Sequence, residues 1–437
     1  MKKLFIFIVI IVALGLFAPF YIGNQAESEF RKLYAEMNLG PDVSFEVREY
    51  NKGWFSSTAT VAAVINLGAF DPSATERFTT YLKHKIQHGP LLTQTAAMGT
   101  GILDVDMTIE APEELSAEYP EMNTILNEVV TFASRVGMDG SVLTKMNING
   151  YEHTEDDTTL KIKEGLINFT MTDQKRLVAG GDWQGVSLAV TGQEQQEMQI
   201  GPMTFEADMV APGDQPFSAY GILIGTSAMT IAEVKFDDAA PGQSALIKNI
   251  VVTSSSSIEE DALSGTMDMS IDKIDAMGLS FTDFVYDLTI NSLNVPALQK
   301  VNELANKMNA PQMTEQDMQA LQDALLMLLQ GQPEVVINNL GITTAQGDIK
   351  NRARITIDPT LIDPNNPLTL MTALEMQAAG SIPKAFLESM GAMPMIQQYV
   401  TEGLVEIESD EVRYDMVFED GQMLLFGKPY QWASLLN

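Results

Sequence analysis

The chain has 437 residues, 58 acidic against 26 basic side chains, a formal charge of −32 and no cysteine. At 45% apolar it can fill a sizeable core, which excludes wholesale disorder. The acidic excess argues against a nucleic-acid binder, which needs clustered Lys and Arg, and opposes adsorption onto anionic lipid. Without cysteine there are no disulfides, thiolate metal sites, iron–sulfur clusters or Cys nucleophiles.

Lys2 and Lys3 precede an uncharged apolar run from Leu4 to Tyr21. About 18 residues give roughly 27 Å of helix, close to the hydrocarbon thickness of a bilayer. A cleavable signal peptide shares these features. Cleavage after Ala18 would set Leu16 at the position three before the cut, and cleavage after Ala26 would set Asn24 there; neither is small. Residues 1–23 are therefore read as an uncleaved signal anchor. With the two lysines held inside, the rest faces outward. The chain is expected in a bacterial inner membrane, single-pass, with its C-terminal body in the periplasm, where disulfides are optional.

Beyond the anchor, Gln25 to Met37 reads as a short helix striped by Phe30, Leu33, Tyr34 and Met37. Phe45 to Tyr50 and Trp54 to about Leu67 read as a hairpin turned at Asn51-Lys52-Gly53. Short alternating runs follow at Leu103–Ile109, Leu160–Met171, Ser187–Thr191, Met203–Met209, Ile247–Thr253, Met267–Ile271, Phe284–Ile290, Ala353–Ile357 and Val405–Ile407. In the run before Ile357, Ala353 and Ile355 alternate with Arg352, Arg354 and Thr356. Helical spacing predicts helices at Met122–Val136, Ala297–Met308 and, after a Thr314–Asp317 capping box, up to Gly331. Leu368–Val400 reads as two more, broken at Gly380-Ser381-Ile382-Pro383. Ser254–Ser257 with the acids after it reads as a solvated hairpin loop. The fold class expected is α+β and β-rich: an N-terminal transmembrane helix, then a large curved, mainly antiparallel sheet with helices on one face. The domains expected are 24–290, β-rich, and 291–437, α+β.

Candidate chemistry is sparse. His84 and His88 stand four apart on a possible helix, a spacing that would align two metal ligands. Gly89-Pro90 stops such a helix at once and no third ligand is evident, so no metal is assigned. No Ser sits in a nucleophile elbow, and Gly421 to Lys428 is one residue too long for a phosphate loop. Asp104 with Asp106, Asp237 with Asp238, and Asp268 with Asp272 are spacings expected by chance among 58 acids. No catalytic residue and no cofactor is assigned. Met390, Met393 and Met395 fall in an apolar tract broken by Gly391 and Pro394; they read as core filler or as an adaptable contact surface.

Tyr50-Asn51-Lys52-Gly53-Trp54-Phe55-Ser56-Ser57 after an N-terminal anchor resembles the YdgA-like family of Gram-negative envelope proteins of unknown function. His88-Gly89-Pro90 and the closing Phe418-Glu419-Asp420-Gly421 to Gly427-Lys428-Pro429 look like that family's later landmarks. The family usually has Asn before Gly-Lys-Pro, where Phe426 stands here. The resemblance implies an inner-membrane-anchored periplasmic protein and transfers no catalytic residue. A looser likeness, in architecture only, is to AsmA-like envelope proteins associated with lipid handling. Gly53 would permit the turn, with Trp54 and Phe55 on opposite faces of the departing strand, as a structural lock or as ligand contacts. The expected function is nonenzymatic binding of an envelope partner or an apolar ligand such as a lipid. A structural or assembly role through homo-oligomers is the alternative, and an envelope hydrolase the third reading. No nucleic-acid partner is expected.

Overall fold

The computed structural model describes residues 30, 31, 34, 43–52, 56–66, 77–88, 91, 92, 99, 100, 103–120, 122–173, 175–192, 195–213, 222–238, 243–276, 278–308, 314–363, 366 and 369–430. The Leu4–Tyr21 run and Gly53, Trp54 and Phe55 lie outside them. No helix among the described residues is long and apolar enough to cross a membrane. The chain divides into two compact units, residues 1–195 with 199–221, and residues 196–198 with 222–437. It is β-rich, and the strand pairs described below are antiparallel.

Unit 1 carries β1 (Val43–Lys52), β2 (Ser56–Asn66), β3 (Arg77–His88), β4 (Leu91–Leu92), β5 (Gly99–Thr100), β6 (Leu103–Glu110), α1 (Glu113–Glu118), α2 (Met122–Val129), β7 (Val130–Val136), β8 (Val142–Ile148), β9 (Tyr151–Glu155), β10 (Thr158–Ile162), β11 (Gly165–Thr172), β12 (Arg176–Trp183), β13 (Val186–Val190) and β15 (Met203–Val210). Between the last two, β14 (Gln196–Ile200) runs across the division. The main meander pairs β1–β2–β3–β6–β7–β8–β11–β12–β15, and β9–β10–β13 forms a second ribbon. Strict alternation builds this unit. In β6, Leu103, Val105, Met107 and Ile109 are buried on one face, joined by Val130, Phe132 and Val136 of β7. Ile125, Leu126 and Val129 of α2 add to the buried core.

Unit 2 carries β16 (Ile224–Asp238), β17 (Ala245–Glu259), β18 (Ala262–Ala276), β19 (Leu279–Asn294), α3 (Val295–Met308), α4 (Glu315–Gln330), β20 (Glu334–Thr344), β21 (Gly347–Ile357), α5 (Thr369–Ala373), β22 (Leu374–Pro383), α6 (Lys384–Ser389), α7 (Met393–Thr401), β23 (Glu406–Glu408), β24 (Glu411–Glu419), β25 (Gln422–Leu425) and β26 (Lys428–Tyr430). These strands pair in the order β16–β17–β18–β19–β20–β21–β22–β24. The far edge of β24 is shared: β23 takes Glu411–Arg413 and β25 takes Met416–Glu419, with β26 beyond. Strands of 15 or 16 residues, such as β16 to β19, reach roughly 50 Å, longer than is usual in globular proteins.

Several segments depart from their predicted state. Met122–Val136 is helical only to Val129; the alternation of Val130, Phe132, Ser134 and Val136 then enters β7, where those side chains are buried and Thr131, Ala133 and Arg135 between them are half-buried. Leu374–Pro383, predicted as the end of one helix and the break after it, is β22; its neighbours on both sides, β21 and β24, supply ladders that outweigh weak local preference. The serine run Ser254–Ser257 lies inside β17, and only Glu260-Asp261 turns. Its hydroxyls pair across strands, Ser254 with Ser227 at 2.7 Å and Ser255 with Thr266 at 2.9 Å. His84 and His88 stand on a strand, where four residues span about 13 Å, too far for one metal. Leu160–Met171 breaks into β10 and β11 at Lys163-Glu164. The helices α3 and α4 form as predicted. Thr314 closes the capping box: its hydroxyl accepts from the Asp317 N–H, and Asp317 accepts from the Thr314 N–H.

Candidate functional site

Two arrangements in unit 2 stand open, one on each face of its sheet. On the first face the strand register brings apolar side chains into rows. Ile231, Ile250, Ile271 and Phe284 form one row across β16 to β19; Met229, Val252, Met269, Tyr286 and Leu340 form the next across β16 to β20. Leu288 with Ile337, and Ile290 with Val335 and Ile355, continue the face toward β21. In unit 1 comparable positions such as Val61 and Ile109 are fully buried or nearly so, at 0% and 1% exposure. Here most are only half-buried, and Met229 and Ile355 are 37% and 40% exposed.

On the opposite face, β22 lies between two walls of long side chains. Register aligns Lys350–Ser381–Arg413, Arg352–Ala379–Asp415 and Arg354–Gln377–Val417 across β21, β22 and β24. Small Ser381 and Ala379 between longer neighbours leave a trough. It contains two overlapping cavities of about 640 and 350 Å3, which share Asn338, Arg352, Ala379 and Asp415. One wall is basic. Lys350, Arg352 and Arg354 follow each other at two-residue spacing, about 6.7 Å apart along β21. Lys350 pairs with Asp348 at 3.1 Å and Arg354 with Glu334 at 2.6 Å, while the Arg352 guanidinium has no hydrogen-bond or ion-pair partner among the described residues. The other wall carries Asp415 and the acids Glu406, Glu408 and Glu411, with Arg413 held by Glu408 at 2.7 Å and Glu411 at 2.9 Å.

On the other face of the same strands, the row Asn351–Gly380–Tyr414 ties β21, β22 and β24 together beneath the trough. Gly380 lets the Tyr414 ring cross β22: a Cβ there would sit 2.6 Å from Tyr414 Cε1 and 2.5 Å from Asn351 Oδ1. The Tyr414 hydroxyl donates to Asn351 Oδ1 at 3.0 Å, and Asn351 Nδ2 donates to the Leu340 carbonyl at 3.1 Å. Burial raises the Tyr414 phenol above its ordinary range, keeping it a neutral donor. On β20 a bulge sets Asn338-Asn339 against Arg352, and Asn338 donates to Asp287 at 2.8 Å and Thr289 at 2.9 Å. Phe426 and Gly427 make the two-residue turn from β25 to β26 with φ of +51° and +73°. Asn-Gly is the favoured pair for such a turn. Phe426 instead borders the larger cavity, and its N–H donates to the Asp415 carbonyl at 2.9 Å.

The predicted residues fall elsewhere. Met390 and Met395 are each 52% exposed around α6 and α7, while Met393 packs on a small core of Leu387, Ile396 and Val412. None of the three borders the trough. His84 is buried in unit 1 among Phe30, Tyr34 and neighbouring strands, with its Nε2 2.8 Å from the Tyr34 hydroxyl. Burial pushes the imidazole down to about 4 from its ordinary 6.5, so the ring is neutral at physiological pH. Asp104 is fully buried and receives both Nε and Nη2 of Arg135 at 2.8 Å. Beside it, burial and then the Asp104 charge hold the Asp106 carboxyl above its usual range, against the pull of Lys85. No group of three metal-binding side chains occurs among the described residues.

The trough had a sequence signal in the three alternating cations of β21. Its floor, Ala379 and Ser381, has no such signal, because the sequence there reads as helix running into a break at Gly380-Ser381-Ile382-Pro383. No curated protein and no solved structure matches the chain. Residues 1–432 match the family described as "Bacterial protein of unknown function (DUF945)", and the chain belongs to that family.

Proposed function

We propose that this chain is a membrane-tethered, nonenzymatic binding protein of the bacterial envelope that holds an apolar ligand, a lipid chain in the first instance, on the apolar face of the unit 2 sheet. The carrying observation is that face: rows of Ile, Val, Met and aromatic side chains across β16 to β21, half-buried where unit 1 buries its equivalents. Apolar surface left partly wet gains about 25 cal/mol for each Å2 that a ligand covers. The Leu4–Tyr21 run supports an N-terminal transmembrane helix that fixes the body on the periplasmic side, beside a source of lipid. In this reading the sheet curves around the ligand and helices lie over one face. The YdgA-like landmarks agree with such an inner-membrane protein.

The test is native mass spectrometry of the full-length protein extracted in mild detergent, compared with Met269→Glu and Tyr286→Lys. Lipid adducts on the wild type that both substitutions remove, with folding kept by circular dichroism, support the reading. A wild type with no adduct, or adducts unchanged in both variants, overturns it.

A further inference from the structure

The polar trough lies on the face opposite the apolar rows, so its occupant is a separate matter from a lipid chain. Its walls differ in sign. Lys350, Arg352 and Arg354 line one side; the other carries Asp415, Glu411 and the β23 acids, with Arg413 among them held by Glu408 and Glu411, and remains acidic on balance. Between them the floor is two strand spacings wide, roughly 9.5 Å, and about 13 Å long from Lys350 to Arg354. A peptide backbone in extended form fits that width, and its side chains alternate left and right every residue.

The geometry points to an extended peptide segment with acidic and basic side chains at alternate positions as the ligand of this trough. Laid flat along β22, such a segment sends its acids to the basic wall and its bases to the acidic wall. Its same-side residues repeat at about 6.7 Å, matching the spacing of Lys350, Arg352 and Arg354. Arg352 is the anchor, since its guanidinium has no partner among the described residues and suits a bidentate carboxylate. The exposed Lys350–Asp348 pair exchanges partners at little cost, while Arg354 stays on half-buried Glu334 and adds its charge to the wall. Ser381 and Gln377 on the floor, likewise without side-chain partners among the described residues, are free to meet the ligand backbone.

The experiment is fluorescence anisotropy on the full-length protein in detergent micelles, with a labelled (Glu-Lys)4 peptide as probe. The control is the block peptide Glu4Lys4, of the same composition and net charge. The alternating peptide is expected to bind at least about tenfold tighter than the block peptide, and more weakly as salt rises. Arg352→Gln should lose about tenfold, and Ala379→Trp, which fills the trough, should abolish binding. Lys161→Gln, on β10 of unit 1, should change nothing. Equal affinity for the two peptides, or unchanged binding in Arg352→Gln and Ala379→Trp, overturns the proposal. So does binding to phosphatidylcholine vesicles that Ala379→Trp removes while neither peptide binds, which would make a zwitterionic headgroup the occupant. Lipid adducts on the opposite face are scored separately, so either reading can fail alone.

Discussion

Adding one methyl at Gly380 tests whether the crossing of Tyr414 over β22 holds this part of the sheet. The new Cβ in Gly380→Ala would lie 2.5 Å from Asn351 Oδ1, 2.6 Å from Tyr414 Cε1 and 2.7 Å from the Lys350 carbonyl oxygen. The two side chains can move, but Lys350 belongs to the β21–β22 ladder and cannot retreat without opening it. Overpacking of this kind costs about 1–3 kcal/mol. Displacing Tyr414 from Asn351 loses a hydrogen bond worth about 1 kcal/mol. Replacing Gly by Ala within a strand returns about 0.5–1 kcal/mol. The net loss expected is about 2 kcal/mol, or roughly 30-fold in an opening equilibrium. Native-state hydrogen exchange reads it locally, as faster exchange of the β21, β22 and β24 amides with unit 1 amides unchanged. Tyr414→Ala should shrink the penalty of the methyl when the two are combined. Protection within about 0.5 kcal/mol of wild type in Gly380→Ala alone would refute the reasoning.

Three further outcomes follow from other sites. Asp104→Ala removes the bidentate carboxylate from the Arg135 guanidinium and should cost about 3 kcal/mol by urea denaturation, whereas Asp104→Leu with Arg135→Met should recover most of that loss. His84 is buried neutral, so its contribution is complete above pH 6.5 and falls as pH drops toward about 4, because the unfolded chain takes up the proton first. Unit 1 should lose up to about 3 kcal/mol across that window, and a melting profile in which His84→Phe leaves the acid slope unchanged would contradict it. Thr314→Ala removes the α4 capping box and should cost about 1 kcal/mol, seen as faster exchange in the first turn of α4 and not at its C-terminus.

The fold was legible wherever one physical signal dominated. Alternation placed β6, β15 and β19, and the Thr314–Asp317 pair located the start of α4 to the residue. It failed where two periods compete in one segment. Met122 to Val136 begins with apolar residues at helical spacing and ends with them at strand spacing, so the switch at Val129 is settled by pairing with β6 and β8. Ala378 to Ser381 has side chains too small to declare a period, and only the flanking ladders make it a strand. The trough shares that fate. Its cations are close in sequence, but Asp415 and Glu411 come from a strand more than fifty residues later, and register alone brings Asp415 across β22 from Arg352. His84 misled because an i, i+4 pair means proximity on a helix and separation on a strand.

The divided far edge of β24 bears on how copies of this protein meet. Beyond β24 the described sheet tapers into β23, three residues long, and the hairpin of β25 with β26, which ends in the three residues Lys428-Pro429-Tyr430. Pro429 offers no N–H, Lys428 is exposed, and Phe426 fills the gap between the two short strands by donating to the Asp415 carbonyl. An edge so brief and interrupted is a poor template for another chain's strand. Copies of the chain that collide at this end find little ladder to extend, so high local concentration is not converted into strand-by-strand growth there.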